Sequence, residues 1–474
     1  MVNSGGVVVG TVTVQRALDP SLNPGLGYRH YSAPVSNATV ADLTTSGFTP
    51  VVNPAFNTDA TPYTVTPFHT VFGYDNSRLS LTNNLDMFDK GYFSPAALSD
   101  ALAVGQGYTV NIGASEVVDF QGTLTNGSLT LPFTSTRTSY PDGGWQLLGN
   151  PYPAPLDYSR VVVADRVGLD AAIYIYSSTS QYGGRYRTYV NGIGNPLLPI
   201  GQGFFARVAA GQPTASLTFR TNQRLTVPSG TTFQRTAADP RPLVQLTLQG
   251  SSSAVLDEAY VYFENGAGSG FEPEFDAEKL ANPTGLNLST SLTNGQQLSI
   301  DGQPELGTSQ RVVPLAVGVP AAGVYTFTAS QVLNLGTVPV YLRDGQTGAL
   351  IDLAQQPSYQ FAVSNASALI TGRFALVFSP QQVLATAPAA LGQQVALYPN
   401  PATASAWLEL PVSLGRQVVT ATLLDAVGRE VRTLTLPAKG TAAHQLDLHQ
   451  VAAGIYALRL DTSAGLIVKK LVVE

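Results

Sequence analysis

The chain has 474 residues, a formal net charge of −6, 12% charged residues and no cysteine. That length exceeds one ordinary core. An acidic balance without any Lys/Arg cluster excludes a nucleic-acid surface, and the lack of cysteine removes disulfides, thiolate catalysis and Cys-ligated metals. Low charge with 45 Gly and 32 Pro suits strands and turns, and 44% hydrophobic content supports packed cores. The expectation is an all-β, multi-domain protein of β-sandwiches. No apolar run reaches ~18 residues, so no membrane-spanning helix is expected.

Met1 to Gly6 has no basic n-region, and Val7 to Arg16 alternates as a strand rather than forming a signal-peptide core. Residues 1–238 form a β-rich region in which similar pieces return. Gly27-Tyr28 to Pro34 has a counterpart in Gly144-Trp145 to Pro153, and Val71 to Asp75 in Ile173 to Tyr176. Gly105-Gln106-Gly107-Tyr108 is matched by Gly201-Gln202-Gly203-Phe204. Two divergent repeats, about 25–135 and 140–235, follow from this pattern. Asp239-Pro240-Arg241-Pro242 reads as a linker. Short alternating strands then predict a sandwich over 239–380, including Leu243 to Leu248, Ala259 to Phe263, Leu298 to Ile300 and Phe374 to Phe378. A weakly charged linker covers 381–392.

Residues 393–474 read as a small Ig-like β-sandwich. Val418 to Leu424 and Glu430 to Leu436 flank a turn containing Gly428, a hairpin pattern. Ile455 to Leu460 and Leu466 to Val473 follow as strands. Pro399-Asn400-Pro401 opens this segment after Tyr398. Asp425, Gly428 and Arg429 form its turn, Gly454-Ile455-Tyr456 starts a strand, and Lys469-Lys470 precedes Leu471-Val472-Val473 at the end.

These four motifs, in this order, resemble the type A C-terminal sorting domain of type IX secretion system cargo. The final Glu474 departs from the basic residue often found near the family's end. The resemblance implies recognition by the outer-membrane translocon and by a sortase that links the product to surface lipopolysaccharide. It also implies an extracellular or outer-surface location. An exported protein carries a leader, so the chain is expected to be a mature fragment, an expressed piece or a truncated gene product. Trp145 to Pro153, Gly201 to Phe205, Phe275 to Lys279 and Tyr341 to Asp344 are also similar to passenger regions common in proteins with this tail.

Candidates for chemistry are few. Gly201-x-Gly203-x-x-Ala206 matches part of a dinucleotide fingerprint, but the residues after it read as strand and not as a helix start. Glu272, Glu274, Asp276 and Glu278 lack a calcium-loop pattern and read as a solvated loop, with a cation site as the alternative. The four histidines, His30, His69, His444 and His449, are scattered. No catalytic residue, metal site or cofactor is expected. Tyr174, Tyr176, Tyr182, Tyr186 and Tyr189, with Arg185 and Arg187, form the densest aromatic stretch. Some of these rings are expected in the core and the rest on a hairpin tip. Tyr182, Arg185, Tyr186 and Tyr189 are the candidate ligand contacts, because exposed Tyr rings stack on sugars. The expected function is a non-enzymatic surface or secreted β protein, with a glycan-binding adhesin as the first alternative and a secreted hydrolase as the second.

Overall fold

Alternation sets the first element. In Val12–Arg16 every second side chain turns outward, and the strand pairs antiparallel with Val118–Leu124 from Val12 opposite Gly122 to Arg16 opposite Val118. The computed structural model describes residues 8–225, 239–250, 255–366, 368–379, 392, 394–411, 414, 418–436, 443–462 and 465–474. Strands carry the architecture, joined by short 3-10 turns such as Pro54–Asn57. The protein is all-β. The expected linker at 381–392, save Gly392, and the last ten residues of the second expected repeat lie outside the described residues.

Met1–Glu305, Ala316–Asn334 and Gln360–Leu369 form one compact unit. Two of its sheets share a strand order. The first runs Leu26–Tyr31, Tyr108–Gly113, Val71–Tyr74, Tyr92–Phe93. The second runs Trp145–Gly149, Gly203–Val208, Leu169–Ser178, Gly184–Val190, Ile193–Gly194. In each, the last strand in the chain lies between the first and second. Two smaller sheets also correspond. Val12–Arg16, Val118–Leu124 and Val35–Ser36 make one, and Leu129–Thr134, Thr214–Phe219 and Arg166–Val167 make the other.

The Gly-Gln-Gly segments explain how the two large sheets meet. Gly107 N–H donates to the Leu147 carbonyl at 2.9 Å, and Gly149 N–H donates to the Gly105 carbonyl at 2.8 Å. Reciprocally, Ser32 N–H donates to the Gly201 carbonyl at 2.9 Å, and Tyr31 forms a β-bridge with Gln202. A Cβ on Gly107 would stand 2.4 Å from the Leu148 carbonyl oxygen, and one on Gly203 2.9 Å from the His30 Cβ. Backbone approach this close is what demands glycine. Gly201 to Ala206 is thus a strand seam, with no helix start behind it.

Behind the second sheet lies an aromatic core. Trp145, Tyr174 and Phe205 are buried with Leu243, Tyr262 and Ile300. These last three come from a third sheet ordered Asn287–Ser291, Gln297–Pro304, Leu256–Glu264, Leu243–Gln249, Gly323–Leu333. Residues 239–242, expected to link two domains, lie inside this unit. Arg241 donates to Asp239 at 2.7 Å, to Glu264 at 2.5 Å and to the Asn191 carbonyl at 2.7 Å, and its guanidinium covers the Tyr262 ring.

Leu306–Leu315, Leu335–Tyr359 and Ile370–Glu474 form the other unit. Here Val340–Asp344 pairs with Ala349–Asp352 on one side and Ile370–Phe378 on the other. Asp344, fully buried, accepts from Arg373 at 2.8 Å and from the Tyr359 hydroxyl at 2.9 Å. From residue 395 onward, two further sheets face one core. Ala396–Tyr398, Ser405–Glu409 and Ala443–Asp447 make the first; Glu430–Leu436, Val419–Leu424, Gly454–Thr462 and Gly465–Val473 make the second. Among the described residues their shared core runs from Val395 to Val473 and is aliphatic except for Tyr456. This C-terminal segment is a sandwich-like module with a core of its own.

Candidate functional site

The C-terminal motifs lie far apart in sequence, and the fold joins two of them. Asn400 uses its side-chain amide as a surrogate peptide group against the final strand. Its Nδ2 donates to the Lys470 carbonyl at 2.7 Å, and its Oδ1 accepts from the Val472 N–H at 2.8 Å. Ala402 continues the contact, donating to the Val472 carbonyl and accepting from the Glu474 N–H, both at 2.9 Å. Unpaired strand edges need such partners. The Pro399-Asn400-Pro401 opening therefore clasps the end of the Lys469-Lys470 strand.

The other two motifs shape turns. Asp425 Oδ1 accepts from the Val427 N–H at 3.0 Å and the Arg429 N–H at 2.9 Å, and Arg429 Nε donates to Asp425 Oδ2 at 2.9 Å. This is an Asx-type turn, with Gly428 at φ +82. The Arg429 N–H heads the causes that hold the Asp425 carboxyl below its ordinary pKa. The Arg429 side chain is 81% exposed, so its charge projects into water. Gly454-Ile455-Tyr456 splits its roles by strand alternation. Tyr456 is buried and its hydroxyl donates to the Ala452 carbonyl at 2.7 Å, whereas Ile455 points outward.

The tyrosine hairpin is sorted by the same alternation. Tyr182 sits in the turn between Leu169–Ser178 and Gly184–Val190 and is 66% exposed. Tyr186 and Tyr189, three apart on a strand, face opposite sides. Tyr186 packs against Tyr176 at 5.2 Å and Phe205 at 6.4 Å, while Tyr189 is buried beside Tyr158 and Phe204. Arg185 reaches the Leu256 carbonyl at 3.4 Å. The four candidate residues are thus not brought onto one face. Tyr182 instead meets Tyr28, ring to ring at 6.4 Å, from a strand 154 positions earlier in the chain. Chain distance hid that neighbour, and nothing local in the sequence marks it.

The acidic segment is tied into the fold. Glu274 pairs with Arg166, Glu278 with Arg207, and Glu272 accepts from the Gly268 N–H. Asp276 is buried and accepts from the Glu272 and Gly302 N–H groups, each at 2.7 Å. Burial pushes its carboxyl up to about 7. His30 and His69 are buried among rings, and desolvation lowers them to about 3 and about 4. His69 lies 4.0 Å from Phe72 and 4.3 Å from Phe56, and neither ring nitrogen has a hydrogen-bond partner. A cleft of about 390 Å³ opens between Phe93, Gln106, Leu131, Phe133 and Gln146. Its one carboxylate, Asp75, already accepts from the Ser77 N–H at 2.9 Å and hydroxyl at 2.8 Å.

Residues 3–378 match a family described as a domain of unknown function, DUF8693. Residues 396–474 match the secretion system C-terminal sorting domain. No curated protein matches the chain. Among solved structures, dimeric latent PorU from Porphyromonas gingivalis is 12% identical over 54% of this chain, with a TM-score of 0.15. The aligned part is 31% of the PorU chain, so this chain spans about a third of that protein. The BSP domain of a biofilm associated protein is 9% identical, covering 98% of this chain and 96% of its own, with a TM-score of 0.14. Neither likeness carries an argument about fold or activity. The chain belongs to the DUF8693 family and carries a type IX sorting domain at its C-terminal side, which marks it as cargo exported to the cell surface or beyond.

Proposed function

We propose that the chain is a non-enzymatic surface or secreted β protein, in which residues 396–474 serve as both the secretion and the anchoring signal. The observation that carries this reading is the self-contained tail. Among the described residues its core draws on none before Val395, and its motif residues form an exposed turn and a clasped final strand. Such a module offers a translocon and a sortase one surface whatever passenger precedes it. Attachment to lipopolysaccharide follows from the sortase step. The passenger's acidic residues support a structural role, since Asp257, Glu274, Glu278 and Asp344 are each held by a Lys or Arg. The shared order of the two large sheets supports a duplicated scaffold built for display.

Removing residues 396–474 should leave the passenger in the periplasm, protected from protease added to intact cells. Undiminished surface exposure of the shortened protein would overturn the reading. A second reading, a glycan-binding adhesin, is favoured by one observation, the exposed Tyr182 ring beside Tyr28.

A further inference from the structure

The Tyr182–Tyr28 contact is one end of a longer row of rings. Tyr28 lies 5.8 Å from Phe72, Phe72 lies 6.0 Å from Phe68, and Phe68 lies 6.2 Å from Tyr63. Tyr182 and Tyr63, at the two ends, are 66% and 57% exposed, Tyr28 and Phe68 are half-buried, and Phe72, which joins the two pairs from beneath, is buried. Local chemistry places each ring. Gly27 lets its strand press against the tip of the tyrosine hairpin, since a Cβ there would stand 2.2 Å from the Ser178 hydroxyl oxygen and 3.1 Å from the Ser180 carbonyl oxygen. Tyr28 is thereby set beside Tyr182. Pro62 starts the 3-10 turn that presents Tyr63. The Tyr63 hydroxyl then donates to Asp89 Oδ2 at 2.9 Å.

We infer that the surface row Tyr182, Tyr28, Phe68 and Tyr63, with the Asp89 carboxyl beside it, binds a neutral oligosaccharide. This rests on the adhesin reading and relocates its site. Aromatic faces suit the C–H faces of pyranose rings, and tyrosine hydroxyls and a carboxyl suit their hydroxyls, because each ring has an apolar body and a polar edge. A row of several rings accommodates more than one sugar. Burial heads the causes that hold Asp89 above the usual carboxylate range, and Tyr28 is pushed up to about 12, again mainly by burial. A carboxylate made more basic by burial, flanked by protonated phenols, is a good acceptor for sugar hydroxyls.

Calorimetric titration of the full chain with cellohexaose, chitohexaose and maltohexaose tests this. At least one of the three should bind, with affinity lowered about tenfold or more in Tyr182→Ala and in Tyr63→Ala. Tyr182 is exposed in a turn, so Tyr182→Ala should keep the native melting temperature, while Tyr63→Ala, which also removes the donor to Asp89, should melt somewhat lower and keep the native far-ultraviolet circular dichroism. Arg185→Ala, on the hairpin but off the row, should bind as the parent does. Binding that survives both Tyr substitutions would overturn this site and leave the adhesin reading standing. No binding of any of the three sugars would remove both, without touching the export reading. Binding of tetramethylammonium in place of the sugars would overturn the choice of ligand.

Discussion

The passenger and the sorting module solve the same problem, a β core without disulfides, with different side chains. The passenger packs rings. Phe205 alone has Tyr74 and Phe88 at 5.1 Å, His30 at 5.4 Å and Trp145 at 6.3 Å. It also buries cations, among them Arg207, which lies over Trp145 at 4.9 Å and donates to the Gly143 carbonyl at 2.9 Å. The module packs Ala, Val, Leu and Ile around one tyrosine, and its described arginines lie outside that core. Arg429, Arg432 and Arg459 form ion pairs on its surface. Buried rings and buried, fully bonded charges fix one arrangement at high cost per error. A small aliphatic module tolerates change inside and spends its polar residues on turns that a partner can read.

That contrast is open to attack by substitution. The largest effect should come from Phe205→Ala, which opens a hole amid six rings and costs about 4 kcal/mol. Hydrogen exchange should quicken across Gly203–Val208 and stay unchanged across Gly454–Thr462. Equal quickening in both strands would break the separation of cores. Next, Arg207→Met should cost about 3 kcal/mol, because Glu278 and two carbonyls lose a buried partner. Chemical denaturation would read this directly, and a loss below about 1 kcal/mol would mean that the buried cation is dispensable.

Acid should weaken the passenger more moderately. His30 and His69 have folded pKa values of about 3 and about 4, below the unfolded value of 6.5. Their contribution is therefore complete above the unfolded pKa and is lost as pH falls from there. Asp276, raised to about 7, acts in the opposite direction, since the folded state holds its proton first as pH falls. Asp89 and Asp170, also raised by burial, act with Asp276, while Glu274 and Asp344, lowered beside their arginines, act with the histidines; within that balance each histidine adds a loss of about 1.4 kcal/mol per pH unit near pH 5. His69→Phe should remove about 1.4 kcal/mol per pH unit from that loss. It should also raise the melting temperature at neutral pH, because an apolar ring replaces one whose nitrogens lack partners. An unchanged slope would show that His69 is not the titrating group. The smallest effect belongs to the module. Arg429→Ala should shift stability by less than about 0.5 kcal/mol, as expected of an exposed pair, while reducing surface display. Normal display would remove Arg429 from the recognition surface.

The module was the most legible part of the chain. Glu430–Leu436 falls on its predicted bounds, and its neighbours within a few residues, because alternation and a glycine turn are local properties. The module's other sheet, Ala396–Tyr398, Ser405–Glu409 and Ala443–Asp447, is not read from the sequence, nor is Asn287–Ser291; these segments are short or polar, and their partners across the sheet make them strands. Alternation along 184–190 was available to separate Tyr186 from Tyr189, yet composition had grouped them. The Asn400 clasp on residues 470 and 472 and the Tyr28–Tyr182 contact depend on chain segments 70 or more positions apart, which no window of sequence contains.

The division of labour between the two regions can be tested by transplantation. Residues 395–474 would be fused behind an unrelated periplasmic β protein in a host with an active type IX system, and the surface of intact cells probed with antibody and protease. Appearance of the reporter at the surface, and its loss when Asn400 and Arg429 are both replaced by Ala, is the expected result. A reporter that stays in the periplasm, while the native passenger with the same tail is displayed, would show that the passenger carries part of the export signal and would contradict the separation.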